Sequence, residues 1–341
     1  MNSTIFSNAA SVLVIKLRAI GDVLLATPVL ENLKVHFPHL DMDFLCEKFA
    51  ADVLAGNPFV RTVVTFNKKK DSSLSLISTI RNNHYDIVID LFGNPRTALI
   101  TRFSGAKYRI GFPFRGRAYA YNVRVKPRGG EVHNVDFNLD VLRHFGISPV
   151  ESGPLFLLNE EEKNFAEVWL QKEHLIDSEI ICINPSGGWY TKKWNLESYA
   201  QLADRIIEER GSNIVFFWGP GEENDVKQIQ STMKHSSSAI PKTSLKEMGA
   251  LLGRCNYLIS NDSGPMHIAA SLRVPTLGIF GPTNPYLQGP YGSKNMWIRD
   301  EELDCLACNL TQCPIGNICM KGLSVEKVFE AFKKLVEKNS K

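Results

Sequence analysis

No apolar run in the 341 residues is long enough to cross a bilayer as a helix; the stretch at 11–17 is short and broken by Lys16. No basic n-region precedes it, so no signal peptide is expected, and a secreted two-lobed solute-binding protein is disfavoured. The Gly-x-Gly-x-x-Gly fingerprint and a Tyr-x-x-x-Lys pair are both missing, which argues against a nucleotide-sugar dehydrogenase or epimerase. Gly-x-x-x-x-Gly-Lys-Ser/Thr is missing too, which excludes a P-loop NTPase. Strong charge of one sign is also lacking: the net value of +3 is too mild to point to nucleic acid. Seven cysteines in a chain expected to stay in the cytoplasm are expected to be free or metal-bound rather than disulfide-paired.

What is present is a soluble globular composition, 44% apolar and 22% charged, over a length sufficient for two full cores. Short apolar runs alternate with helical patterns. Strands are expected at 12–17, 41–46, 60–66 and 86–91, with helices near 22–37, 48–55, 72–82 and 95–103. The pattern restarts at 180–184, followed by helices near 196–210, 221–234 and 244–254 and a strand at 214–218. Alternation of this kind predicts an α/β protein with two doubly wound parallel sheets. A polar helix at 160–173 after Gly153-Pro154 is the expected connector, and the amphipathic 325–338 segment is expected to pack back on the body.

Two turns stand out. The segment 256–281 reads as strand, polar turn, small-residue helix and second strand. Asp262 and Ser263 suit the N-cap, and Pro265 suits the first turn. Such a turn aims free backbone N–H groups at a phosphate. At the other end, the strand at 11–17 meets Arg18-Ala-Ile-Gly21-Asp22, where Gly21 is expected to allow a tight turn and Asp22 to start a helix. Both turns fall at carboxyl ends of strands, where doubly wound sheets bind ligands, and a pair of such domains is expected to face one cleft.

Four motifs, in order, resemble the bacterial ADP-heptose:lipopolysaccharide heptosyltransferases. They are Lys16-Leu-Arg-Ala-Ile-Gly21-Asp22, Ser186-Gly-Gly-Trp-Tyr-Thr-Lys192-Lys-Trp194, Trp218-Gly-Pro-Gly-Glu222-Glu223 and Asn261-Asp262-Ser263-Gly264-Pro-Met-His267. The resemblance spans about residues 11–340. It implies a GT-B fold of two facing Rossmann-like domains. Residues 1–160 would bind acceptor, 175–320 would bind the nucleotide-sugar donor, and 321–341 would be the returning helix. It implies an inverting transfer of heptose from ADP-L-glycero-D-manno-heptose to the inner core of lipopolysaccharide or lipooligosaccharide, with no cofactor required. Asp22 would be the general base, and Lys192 would stabilise the departing diphosphate beside the helix start at Ser263-Gly264. Gly21, Ser186, Thr243 and His267 would complete the donor contacts, with Glu222 or Glu223 on ribose and Asp262 on donor hydroxyls or capping. Lobe closure would exclude water. Expected partners are the ADP-sugar, the anionic inner-core acceptor and a transient inner-membrane surface, with no nucleic acid. The chain is expected to be monomeric and peripheral at the cytoplasmic face of the inner membrane. Two alternatives stay open: a relative using another nucleotide-sugar, and an inactive sugar-nucleotide-binding relative. Thr243 stands where some relatives carry methionine, which weakens the argument for adenine.

The basic population of the first half supplies the acceptor candidates Arg18, Arg115 and Arg117, on loop-like segments suited to carboxylates and phosphates. Phe112, Phe114, Tyr119 and Tyr121 are candidates for sugar or membrane contact. Asp41-Met-Asp43 looks like a metal motif but falls at the entry of a strand, the wrong end for a site. Cys305, Cys308, Cys313 and Cys319 form a compact cluster. Structural thiols or disulfides come first, then zinc, then an iron–sulfur centre; no metal is assigned.

Overall fold

A computed structural model describes residues 3–114, 116–150 and 153–340. The chain divides into two compact units, Met1–Leu157 and Leu158–Lys341. Each holds a six-stranded, wholly parallel sheet. The first unit has β1 (Ser11–Ile15), β2 (Asp41–Glu47), β3 (Thr62–Phe66), β4 (Ile87–Asp90), β5 (Tyr108–Gly111) and β6 (Val123–Arg124), in the order β3-β2-β1-β4-β5-β6. The second has β7 (Ile180–Asn184), β8 (Asn213–Phe216), β9 (Ser238–Ala239), β10 (Tyr257–Asn261), β11 (Thr276–Ile279) and β12 (Met296–Ile298), in the order β12-β11-β10-β7-β8-β9. These are the two Rossmann-like domains of a GT-B fold. The inner strands are buried on both faces, so β1 and β7 read as continuous apolar runs rather than alternating ones.

Strand order reverses between β1 and β4 in one sheet and between β7 and β10 in the other. Those reversals open a crevice at the carboxyl edge of each sheet, the usual ligand position in such folds. On one face of each sheet a core forms, from Leu13, Ile15, Leu45 and Val88 in the first unit and from Ile183, Phe216, Leu277, Phe329 and Phe332 in the second. The last two belong to the final helix, Val325–Asn339, whose apolar face closes the second unit.

Several elements differ from the sequence expectation. The helix expected over 22–37 is two helices, Ile20–Leu24 and Thr27–His36, because Pro28 starts a new first turn. The helix expected at 48–55 is a 3-10 segment, Lys48–Leu54. The expected connector, Glu160–Lys172, lies in the second unit, packed on helix Leu245–Leu252, with Glu167 ion-paired to Arg254. Cys182 and Cys255 are paired, against the expectation of unpaired thiols. Cys182 lies opposite Leu258 in the β7–β10 ladder and Cys255 lies two residues before β10, which sets the two side by side.

Candidate functional site

In the first unit the reversal is occupied by the turn after β1. Asp22 lies in the first turn of helix Ile20–Leu24, and its Oδ2 accepts the Ala19 N–H at 2.7 Å. Oδ1 has no hydrogen-bond partner among the described residues, so one carboxylate oxygen holds the turn and the other is available. Gly21, expected to allow a tight turn, is buried inside this helix and is not among the glycines with positive φ. Arg18 is exposed on the same turn, Arg117 is half-buried, and Arg115 lies outside the described residues.

Beneath the turn is a buried ionic group that sequence reasoning missed. Lys16 donates from Nζ to the Leu91 carbonyl at 3.0 Å and to Asn138 Oδ1 at 3.5 Å. Burial pulls its pKa down, opposed by the charges of Asp22 and Asp90. Asp90 ends β4 beside Ile15 and accepts from the N–H groups of Phe92 and Gly93 and from the Tyr121 hydroxyl at 2.7 Å. Burial raises the Asp90 pKa, and those hydrogen bonds offset part of the rise. A Cβ on Gly111 would sit 2.5 Å from the Tyr121 ring, so only glycine there lets the tyrosine reach Asp90. An apolar run ending in lysine was the one available signal.

In the second unit the loop after β7 and the turn after β10 meet at the reversal. Lys192 and Asp262 form an ion pair, Nζ to Oδ2 at 2.6 Å, with side chains only 15% and 5% exposed. Asp262 Oδ2 also accepts the Thr283 hydroxyl at 2.7 Å, and the Lys192 ammonium sits 4.6 Å from the Trp189 ring centroid. An ammonium has three donors, so this pairing leaves others for a ligand.

Ser263 is the N-cap of helix Gly264–Ser271, yet its side chain makes no capping bond. Its Oγ is held instead by Asn184 Nδ2 at 2.9 Å. The helix start therefore keeps N–H groups open to an acceptor, with Ser186 buried nearby and its Oγ without a hydrogen-bond partner. Asn261 ties the walls together: Nδ2 donates to the Pro185 carbonyl at 2.7 Å while Oδ1 accepts from Tyr199 at 2.8 Å. His267 is buried within the same helix.

Glu222 Oε1 accepts from the Gly187 N–H at 3.2 Å and pairs with Lys193 at 3.0 Å. Lys193, not singled out from sequence, also pairs with Asp225 at 2.8 Å. Glu223 points outward and pairs with Lys227 one turn on, the plain helix-charging arrangement. Thr243 is half-buried in the loop after β9. Asp41 and Asp43 sit at the start of β2 and pair with Arg61, at the edge away from the reversal.

The cysteine segment supports this wall. Cys305, Cys308, Cys313 and Cys319 are free thiols around one small cavity that Thr191 and Pro282 also line. The Thr191 hydroxyl donates to Leu310 O at 2.8 Å, and Ala307 and Asn309 donate to the carbonyls of Gly281 and Pro282. Among the described residues no three His, Cys, Asp or Glu side chains are grouped to hold a metal ion.

The chain belongs to glycosyltransferase family 9 (heptosyltransferase), whose sequence model matches residues 73–319. It is thus a glycosyltransferase. The match takes in the 186–194, 218–223 and 261–267 motifs but not the Asp22 turn. Lipopolysaccharide heptosyltransferase 3 of Escherichia coli K12 is 28% identical, over 80% of this chain and 82% of its own. The lipopolysaccharide core heptosyltransferase OpsX of Haemophilus influenzae is 25% identical, over 83% and 82%. Among solved structures, the family 9 glycosyl transferase of Veillonella parvula superposes with a TM-score of 0.83 at 26% identity, covering 97% of this chain and 98% of that one.

Proposed function

We propose that this glycosyltransferase moves heptose from ADP-L-glycero-D-manno-heptose to the inner core of lipopolysaccharide or lipooligosaccharide, with inversion at C1. The observation that carries the donor half is the second-unit crevice: an uncapped helix start, the Lys192–Asp262 pair and an unpartnered Ser186 hydroxyl at one strand reversal. The N–H groups at Gly264 and Met266 receive the diphosphate, and Lys192 stabilises the charge that builds on it as the C1–oxygen bond breaks. Asp262 holds Lys192 and is available to donor hydroxyls. Glu222 takes the ribose, and Thr243 and His267 flank the donor.

In the first unit Asp22 takes the proton of the attacking acceptor hydroxyl through the oxygen its turn leaves available. Arg18, Arg115 and Arg117 meet the acceptor's carboxylates and phosphates. The lysine and the helix start supply the positive field, so the reading requires no metal. It places the enzyme, as a monomer, at the cytoplasmic face of the inner membrane in transient contact with it.

Thermal unfolding with ADP, UDP, GDP, CMP and NAD tests the donor. At ~100-fold over Kd the stabilisation is about 2.7 kcal/mol, which at roughly 2–4 °C per kcal/mol is a shift of roughly 5–11 °C. A shift with ADP alone is expected; a shift with UDP or GDP instead discards heptose, and no shift with any removes the donor reading. Asp22→Asn should keep the ADP shift and lose transfer by at least about a hundredfold; normal transfer would dismiss Asp22 as base.

A further inference from the structure

Residues 91–130 carry nine lysines and arginines and no aspartate or glutamate. The remaining 301 residues hold thirty cations against thirty-six acids, so the positive net charge of the chain comes from this one segment. Of its cations among the described residues, only Arg128 pairs with a carboxylate. Arg109 spends its guanidinium on the carbonyls of Ala120 and Ala106 and keeps its charge uncompensated; burial and the nearby Arg102 both lower its pKa.

The same segment exposes large apolar side chains. On helix Pro95–Phe103, Leu99 and Phe103 lie four residues apart and are 46% and 48% exposed, with Arg102 exposed beside them. The Ala118–Ala120 turn packs on that helix through Ala98, Ala120 and Tyr121, and it presents Tyr119 at 53% exposure. Of the four aromatics expected to touch membrane or sugar, Phe112 and Tyr121 are instead buried in packing and Phe114 stacks on Phe112 and Phe137. Tyr119 remains, and Leu99 and Phe103 join it.

We infer that the outward face of helix Pro95–Phe103, with Tyr119 and the cations around it, docks on a bilayer of anionic phospholipid. Two independent terms favour that partner over a soluble one. Basic side chains within a Debye length of an anionic surface are attracted individually, and no acid in this segment cancels them. Leu99, Phe103 and Tyr119 add apolar area at interfacial depth, which neutral water-soluble ligands do not reward. The inference rests on the proposed lipid-anchored acceptor only for its purpose, not for its chemistry.

The test is co-sedimentation of the full chain with phosphatidylcholine vesicles, with and without phosphatidylglycerol, and with neither donor nor acceptor present. Binding to the phosphatidylglycerol vesicles at low salt is expected, with loss at high salt and little binding to phosphatidylcholine alone. Leu99→Ser/Phe103→Ser and, separately, Arg102→Glu should each cut partitioning about tenfold or more, while the ADP-induced thermal shift stays unchanged and shows the variants folded. No partitioning, equal partitioning to neutral vesicles, or unchanged partitioning of both variants would each overturn the inference. So would a loss, in the variants, of binding to a soluble anionic oligosaccharide in place of vesicles. A chain that binds these vesicles yet transfers no heptose would dismiss the proposed reaction and leave this surface standing.

Discussion

Lys192 joins two demands that a single substitution cannot separate. It neutralises a carboxylate that is almost wholly buried, and it faces the open helix start where the diphosphate is proposed to sit. Lys192→Ala strands Asp262 without a counter-charge and should cost about 3 kcal/mol of stability, since a buried charge left unpaired is expensive. Adding Asp262→Asn removes that charge, so Lys192→Ala/Asp262→Asn should recover most of the lost melting temperature. ADP affinity should stay depressed in both. Recovery of affinity along with stability in the double variant would reduce Lys192 to a structural residue. At this scale the sequence was legible where residue type and local order suffice: Asp22, Lys192, Asp262 and Ser263 stand in motifs. Lys16, Lys193 and Asp90 were not, because their roles depend on partners far along the chain, from Glu222, 29 residues beyond Lys193, to Asn138, 122 beyond Lys16. Apart from the apolar run that Lys16 ends, nothing adjacent in the chain marks a lysine that will be buried under a turn.

Among the elements, those with a strong local code were readable. Helices Pro95–Phe103, Glu160–Lys172 and Leu245–Leu252 each open on a capping box, Asn94 with Thr97, Asn159 with Glu162 and Ser244 with Glu247. The strands β5, β6, β9 and β12 are only two to four residues long, too short for a period to declare itself. The cysteine segment has no regular periodicity at all, and its contribution is tertiary: it buttresses the residues that hold Lys192 and Asp262. Gly281 is where that contact is tightest. A Cβ there would lie 2.7 Å from Met320 Sδ and 2.8 Å from Cys319 Sγ. Gly281→Ala should therefore push the segment away from the Pro282-Thr283 turn and destabilise the protein by about 1–3 kcal/mol. Because Thr283 holds Asp262, ADP binding measured by calorimetry well below the melting temperature should weaken about tenfold or more, roughly the loss of one charge-assisted hydrogen bond. Undiminished affinity would show that the cysteine segment and the donor wall are uncoupled.

For the molecule as a whole, two sheets of the same topology each bring one reversal to one edge, so fold and site follow from a single topological fact per unit. The cores that hold those edges contain acids buried in their neutral form, which makes the alkaline limb of stability readable. In the first unit, burial pushes the Cys46 thiol up to about 12 from 9.0, helped by the Asp52 and Glu47 carboxylates. Tyr85 is likewise pushed up to about 12, by burial and then by its bond to Asp43. Each group binds its proton more tightly when folded, so above its unfolded pKa the unfolded chain loses a proton that the folded one keeps. Stability then falls as pH rises, beginning near 9 for Cys46 and continuing to about 12. At pH ~10.5 the Cys46 contribution alone is on the order of 2 kcal/mol. Cys46→Ala removes that titration while costing about 1–2 kcal/mol at neutral pH for the lost packing. Denaturation curves at pH ~8 and ~10.5 should thus show the variant less stable than wild type at the lower pH and about equal to it at the higher. Parallel losses in both proteins across that interval would mean that Cys46 ionises in the folded state as it does in the unfolded one.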